Sequence, residues 1–436
     1  MGVMDSLFEH LIADFQERSL PRLTAREARL PALPGKIDTV IGMRRSGKSW
    51  RLFQAMQEQL DAGVPKQRLL YLNFDDERLY PLTAAELHQI PETWYRLYPD
   101  NKGQPCFAYF DEIQNVTGWE AFVRRLLDSE TLQLTLTGSS ARLLSREIAS
   151  ALRGRSLSTE LFPFSFGEVL RHQGLEATLS GPIGSHRRAL LANRLRDYLE
   201  TGGFPEVQGV EPPLRVRILQ EYVDVVILRD VVERHGVGNV AALRALIRQL
   251  LGAPANAFSV HRFYNDLKSR GITVSKNSLH DFLGYLEEAY LIQTLTLDTR
   301  SERQRQVNPR KVYPIDTGLA QAYWHTPNRN RGWLLETLVF LDLRRRGLAL
   351  SYFRSQEGFD VDFLARGFDT EPQAIQVSES LSDATTRARE VRALEAVMAE
   401  RALPEAILIT LDEETRIETS HGLIRVMPAW RWLLRD

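Results

Sequence analysis

The sequence predicts an α/β chain of several domains, led by a nucleotide-binding unit with a parallel sheet. Two observations carry this. The first is Gly42-Met-Arg44-Arg45-Ser46-Gly47-Lys48-Ser49, which fits G-x-x-x-x-G-K-[ST]. An apolar run, Ile37–Ile41, precedes it and an amphipathic stretch, Trp50–Leu60, follows, giving strand, glycine loop and helix in that order. The second is the alternation of strand and helix patterns from about residue 36 to 165, which implies helices on both faces of a parallel sheet.

The glycine loop has a direct chemical reading. Gly42 and Gly47 let backbone N–H groups close around phosphate oxygens, with Arg44, Arg45 and Ser46 between them. The following helix adds unpaired donors and the positive end of its dipole. Lys48 is expected to reach the β and γ phosphates of ATP, and the Ser49 hydroxyl to hold Mg²⁺. A second strand pattern, Cys106–Phe110, ends in Asp111-Glu112. Asp111 suits the Mg²⁺ shell through water, and Glu112 suits orienting and deprotonating the attacking water. Hydrolysis needs both at one strand end, because metal and water flank the same γ-phosphate. A third strand pattern, Leu132–Thr137, ends in Gly138-Ser139-Ser140. Ser139 either touches the γ-phosphate or the water, or caps the next helix.

Composition bounds the rest. A length of 436 residues exceeds one core, so two or three domains are expected. Apolar residues, at 43%, are sufficient to build them. Lys and Arg number 55 against 56 Asp and Glu, so any nucleic-acid surface must be local. The single cysteine, Cys106, excludes an internal disulfide and a cysteine zinc cluster. No stretch is long and apolar enough to span a membrane and no signal-peptide core is evident, so a soluble cytoplasmic protein with no membrane partner is expected.

Along the chain, residues 5–18 have helical apolar spacing, and Arg68–Phe74 reads as a further strand. Residues 186–230 look helical, interrupted by Thr201-Gly-Gly-Phe-Pro-Glu206. Three helical patterns follow, Val240–Leu251, Val260–Arg270 and Lys276–Glu288, with Ser275 or Asn277 as a cap for the third. Leu291–Leu297 and Lys311–Ile315 then read as a two-stranded ribbon, with the turn 299–306 as its tip: the winged-helix order. From about 330 a helix over Gly332–Arg346 leads three strands, Ala349–Phe353, Asp360–Ala365 and Ala374–Val377. A long helix at about 383–400, a strand Ala406–Leu411 and a final helical turn complete a further α/β unit.

These motifs together resemble a known family: the bacterial and archaeal AAA-type ATPases with a C-terminal domain related to PD-(D/E)XK nucleases. The resemblance rests on the glycine loop with arginine inside it, Asp111-Glu-Ile-Gln114, Thr137-Gly-Ser-Ser140, Leu152-Arg-Gly-Arg155 and Leu161-Phe-Pro-Phe-Ser-Phe-Gly-Glu168. It continues through Gly202-Gly-Phe-Pro-Glu206, Lys311-Val-Tyr-Pro-Ile-Asp-Thr-Gly318 and Asp360-Val-Asp-Phe363. It implies an AAA-type P-loop domain (1–170), a helical lid (171–235), a winged-helix domain (236–315) and a restriction-endonuclease-like α/β domain (316–436). It also implies a ring or filament of identical chains. Ser139 then stands where such ATPases carry a first sensor. Arg155, with Arg153 as the alternative, stands where they present an arginine finger to a neighbour's nucleotide, or else serves a structural salt bridge.

In the nuclease-related domains, a helix glutamate, a strand aspartate and a second strand acid bind Mg²⁺, and a lysine two residues later assists water. Glu336 matches the first and Asp362 the second, with Asp360 two residues away on the same strand. Gln376 stands at the second acid and Ser378 at the lysine. A neutral amide is a weaker ligand for a hard cation, so the motif is incomplete. The expectation is a degenerate site used for binding or assembly, with Glu336 and Asp362 as remaining metal ligands; the alternative is an ATP-gated nuclease. Arg300, Arg303, Arg305, Arg310 and Lys311 in and beside the turn, with Lys268, Arg270 and Lys276 near the third helix, are the expected contacts to DNA phosphates, without base specificity. The overall expectation is an oligomeric, DNA-binding ATPase using ATP and Mg²⁺. A signalling switch that binds a protein partner is the other alternative.

Overall fold

The structure is a computed structural model that describes residues 3–138, 154–179, 181–324 and 330–435. It divides into two compact units, Met1–Leu161 and Phe162–Asp436.

The first unit opens with helix α1 (Val3–Glu17), whose Phe8, Ile12 and Phe15 recur at helical spacing and are buried. Strand β1 (Ile37–Ile41) is buried throughout and runs into the glycine loop and helix α2 (Lys48–Asp61). The chain continues through β2 (Leu69–Asn73), α3 (Gln89–Leu97), β3 (Cys106–Asp111), α4 (Trp119–Ser129), β4 (Leu132–Gly138) and β5 (Ser156–Glu160). The sheet order is β2-β3-β4-β1-β5, and every pairing is parallel. The expected parallel sheet is therefore present. Its parallel strands all end at one edge, so the ends of β1, β3 and β4 come together there. Leu52, Phe53 and Met56 of α2 pack with Phe15, Val40, Leu69, Tyr71 and Tyr109 to hold that edge.

The second unit begins with α5 (Phe166–His172), started by a capping box between Ser165 and Glu168. Then come α6 (Ser185–Thr201) and α7 (Pro212–Val225), the latter continued in a wider π turn over Val226–Val232. The break between them is explained by Asp316. This buried carboxylate accepts from the Gly203 N–H at 2.6 Å and caps Leu319 N at 3.2 Å. It lies so close to Gly202 that a Cβ there would collide with it. The motifs around 202 and 316 are thus two halves of one joint.

Next come α8 (Val240–Gly252), β6 (Ala257–Phe258), α9 (Val260–Ser269), α10 (Lys276–Glu288), β7 (Ile292–Leu295), α11 (Glu302–Val307) and β8 (Arg310–Pro314). Ser275 is the residue that caps α10. Two expectations need correction here. The ribbon is a three-stranded antiparallel sheet, β6-β8-β7, because the two-residue β6 joins β8. The turn expected as a ribbon tip contains the short helix α11. Ser301 caps its first turn and Arg305 pairs with Glu302 at 2.8 Å, so local hydrogen bonds favour helix there.

The chain ends with α12 (Thr317–Ala322), α13 (Arg331–Arg345), β9 (Ala349–Arg354), β10 (Asp360–Arg366), β11 (Gln373–Val377), α14 (Ala384–Arg401), β12 (Glu405–Thr410), β13 (Thr415–Thr419), β14 (Gly422–Pro428) and α15 (Ala429–Leu433). The sheet order is β13-β14-β12-β11-β10-β9. The hairpin β13–β14 stands before the expected final helical turn. Its tight turn is held by Thr419, whose hydroxyl donates to the Gly422 carbonyl at 2.9 Å. Leu394, Val397 and Met398 of α14 pack on Leu364, Ala374, Leu408, Ile424 and Val426 of the sheet. Among the described residues, no helix is long and apolar enough to cross a membrane.

Candidate functional site

The edge of the first sheet gathers the residues singled out around the glycine loop. The loop leaves β1 at Gly42, where any Cβ would run into the Leu161 carbonyl, and Gly47 takes φ 96° before α2. Lys48 is buried, and its Nζ donates to the Gly42 and Met43 carbonyls at 3.2 and 3.3 Å. It stands 3.7 Å from Glu112 Oε1. Those long contacts leave the ammonium over the loop that would cradle phosphate. Arg45 is exposed at φ 68°, Arg44 is half-buried, and Ser46 is buried.

Asp111 ends β3 with 2% of its surface exposed. Burial pushes its carboxyl up, while hydrogen bonds from Ser49 and Thr137 pull it back. Tyr71 donates to Oδ2 at 3.1 Å, and Thr137 donates to Oδ1. Ser49 and Asp111 therefore already touch. A hydroxyl and a carboxylate are the hard oxygen ligands Mg²⁺ prefers, so this pair fits the ion. Glu112 has φ 53°, which turns its side chain beside Lys48 and Gln114, and Gln114 donates to it. Its backbone N–H donates to Thr137 Oγ1 at 3.0 Å.

Ser139 and Arg153 lie outside the described residues. Arg155 is exposed and pairs with Asp128. Its carbonyl accepts from Ile37 N at 2.8 Å, at the start of β1, while the glycine loop leaves the end of β1. Four residue steps of strand, roughly 13 Å, separate the two ends. Arg155 thus does not join its own chain's glycine loop.

A second cluster lies in the second unit. Glu336 on α13 and Asp362 on β10 are brought together and buried. Lys311 of β8 stands between them, 2.8 Å from Glu336 Oε1 and 2.7 Å from Asp362 Oδ1. Tyr313, two residues along the same strand, donates to the same Glu336 oxygen at 2.8 Å. Asp362 Oδ2 accepts from Val377 N at 3.0 Å. Burial alone would lower the Lys311 ammonium, but Asp362 and Glu336 outweigh it and hold it charged. Burial, then Asp362, pushes Glu336 up, against the pull of Lys311.

Gln376 accepts from Asp362 N at 3.0 Å and donates to Glu390 at 2.6 Å, and Glu390 in turn pairs with Arg389 at 2.5 Å. Ser378 donates to the Ser380 carbonyl. Asp360 does not join the acid pair, because it is paired with Arg354 at 2.6 Å. Arg300, Arg303 and Arg305 are exposed, and Lys276 lies 5.2 Å from the Tyr264 ring. Lys311, which sits in sequence beside these cations, is not on the surface with them.

Similarity to known proteins now fits this geometry. Over 442 residues, 98% of this chain and 95% of the other, the sequence is 33% identical to the uncharacterized protein MJ1544 of Methanocaldococcus jannaschii. The chain belongs to the same family. Residues 34–170 match the AAA domain, and residues 192–330 match a Domain of unknown function (DUF8612). The first unit is thus an AAA-type P-loop domain. An uncharacterized protein of Haemophilus influenzae is 29% identical over 76% of this chain and 80% of its own. Among solved structures, a Walker-type ATPase of Pyrococcus abyssi is similar at TM-score 0.41 and 14% identity, over 74% of this chain and 95% of that one. The Aeropyrum pernix Orc1 protein in complex with DNA is similar at TM-score 0.27 and 14% identity, over 73% and 91%. At such scores the likeness says nothing of function.

Sequence reading missed two supports of the AAA site. Thr137 joins Asp111 to the Glu112 backbone, and the polar positions alternating along β4 were its signal. Arg26, far upstream, donates to the Ser46 carbonyl at 2.9 Å and braces the glycine loop. No motif marks it.

Proposed function

We propose that this chain is an ATP-hydrolysing, DNA-binding AAA-type ATPase that works as an oligomer to sense or remodel DNA. The observation that carries the ATPase reading is the meeting of Lys48, Ser49, Asp111, Glu112 and Thr137 at one sheet edge. The backbone amides of the loop bind phosphate, and Lys48 exchanges two weak carbonyl contacts for anionic oxygens. Ser49 and Asp111 would hold Mg²⁺, which neutralises phosphate charge. Glu112 takes the proton of the attacking water, and its left-handed backbone and Gln114 keep it aimed.

The place of Arg155 favours action on a neighbour's nucleotide, since it stands at the other end of β1 from its own loop. The DNA reading is supported by the order α8, β6, α9, α10, β7, β8, which we read as a winged helix, and by Arg300, Arg303, Arg305 and Lys276 on its surface. The nuclease alternative is disfavoured by Gln376, whose amide is spent on Asp362 N and Glu390. The test is the ATPase rate with and without single-stranded, duplex and branched DNA, with the DNA inspected for cuts. Stimulation without cutting is expected. Hydrolysis indifferent to DNA favours the signalling-switch reading, and cutting lost in Asp362→Ala favours the nuclease.

A further inference from the structure

The second acid cluster does not fit the divalent ion that a nuclease-like fold would place there. A complete set has three acids, which together balance a divalent ion and a lysine. Here Gln376 stands at the third acid, and the nearby buried Glu390 is tied to Gln376 and Arg389, so Glu336 and Asp362 alone hold Lys311. Adding the ion would set it against the Lys311 ammonium on the same two carboxylate oxygens, and the two cations would repel at short range. The ammonium also holds the ground first. It bridges Glu336 Oε1 and Asp362 Oδ1 at 2.8 and 2.7 Å, and Tyr313 and Val377 take further lone pairs on the two acids. Mg²⁺ needs oxygens at about 2.0–2.1 Å in octahedral array, so it would have to displace the lysine. A tethered lysine competes at high effective concentration.

We infer that Lys311 is the resident cation of this site: its ammonium replaces a divalent ion between Glu336 and Asp362, and the site accepts such an ion only when the lysine is removed. The site is reachable, because Glu336 and Asp362 line a cavity of 690 Å³ together with Gln376, Ser378 and Arg389. The inference does not rest on the ATPase reading.

The experiment uses the full-length chain without nucleotide and titrates Mn²⁺ by electron paramagnetic resonance. A bound ion is assigned to this site by its loss in Asp362→Asn, which separates it from ions at the P-loop. Wild type is expected to show no such Asp362-dependent ion. Lys311→Met, which keeps the aliphatic stem, should gain one, and Mn²⁺ should raise its melting temperature by several degrees more than that of Lys311→Met with Asp362→Asn. Should Lys311→Met fail to fold, Lys311→Gln carries the same titration with donors retained and charge removed. An Asp362-dependent Mn²⁺ in wild type overturns the inference, because lysine and metal would then coexist. So does a folded charge-free variant that gains no such ion.

Discussion

Each unit of this molecule sets a lysine beside acids, one carboxylate within 4 Å of Lys48 and two of Lys311, and the two arrangements differ in what they leave undone. In the AAA domain, Lys48 is 3.7 Å from Glu112 and rests on two carbonyls beyond 3 Å. In the second unit, Lys311 is within 2.8 Å of both acids. The first cation is under-satisfied and suited to exchange partners with a charged ligand. The second is held by two short charge-assisted hydrogen bonds, and exchanging would leave buried carboxylates unpaired. The same residue types thus give a receptive site or a closed one, according to distance.

Breaking the receptive site should have the largest effect. Glu112→Gln keeps the size of the side chain but cannot accept the water's proton. Hydrolysis should fall by about 10²–10⁴-fold, while ATP binding persists. Lys48→Ala should lose productive binding itself. Nucleotide binding and steady-state ATPase assays read both, and a normal rate in Glu112→Gln would refute the assignment of the base.

Breaking the closed site should cost stability instead. Lys311→Ala leaves Glu336 and Asp362 facing each other with no cation. Removing one partner of a buried ion pair typically costs about 3–5 kcal/mol. Chemical denaturation, followed by a signal specific to the second unit, should show this loss, with ATP binding by the AAA domain unchanged. A loss below about 1 kcal/mol would mean that the contact is a surface-like pair.

A third buried acid sharpens the contrast, because Asp316 has backbone N–H donors rather than a lysine. Burial raises its carboxyl to about 6, against the opposing pull of Gly203, Leu319 and Gly318 N–H. A folded value above the unfolded one, about 3.9, means that the folded state holds the proton more tightly. Its contribution is therefore greatest below about pH 4 and declines until about pH 6. Two units correspond to roughly 3 kcal/mol. The stability of wild type minus that of Asp316→Asn should fall by up to this amount across that window and then level off. A flat difference would show that the N–H donors compensate ionisation completely.

The contrast also explains what could be read from the sequence. The receptive site is built by contiguous motifs: a glycine loop at one strand end and two acids at another. Periodicity likewise located β1 to β4, but not β5, which is nowhere fully buried and has no apolar alternation. The closed site depends on contacts spanning 25 and 51 residues, from Lys311 to Glu336 and Asp362, and its lysine comes from the ribbon rather than from the segment of β11 and its end that holds Gln376 and Ser378. No local pattern records that. The strand β6 has two residues, too few to alternate, and β13 is a largely exposed strand, so neither shows an apolar period. Helix α11 is polar and held by a cap and an ion pair, features that also suit a charged turn.

The smallest expected effect concerns cations left outside both sites. Lys311 is spent internally, so the proposed phosphate contacts of this region fall to exposed cations, Arg300, Arg303, Arg305 and Lys276. They are not equivalent. Arg305 is paired with Glu302 and donates to the Thr299 carbonyl at 2.9 Å, whereas Arg300 and Arg303 form no ion pair among the described residues. Each phosphate neutralised contributes about 0.9 to the slope of log affinity against log salt. Replacing Arg300, Arg303 and Arg305 together with alanine should therefore flatten that slope by up to about 2–3 and weaken binding alike across sequences. Arg300→Ala with Arg303→Ala should account for most of the change, because Arg305 must first give up Glu302. Fluorescence anisotropy over a salt series reads both variants. An unchanged slope would move any DNA contact away from this surface, and an equal contribution from Arg305 would mean that its surface ion pair yields readily to phosphate, as the Lys311 cluster is not expected to do.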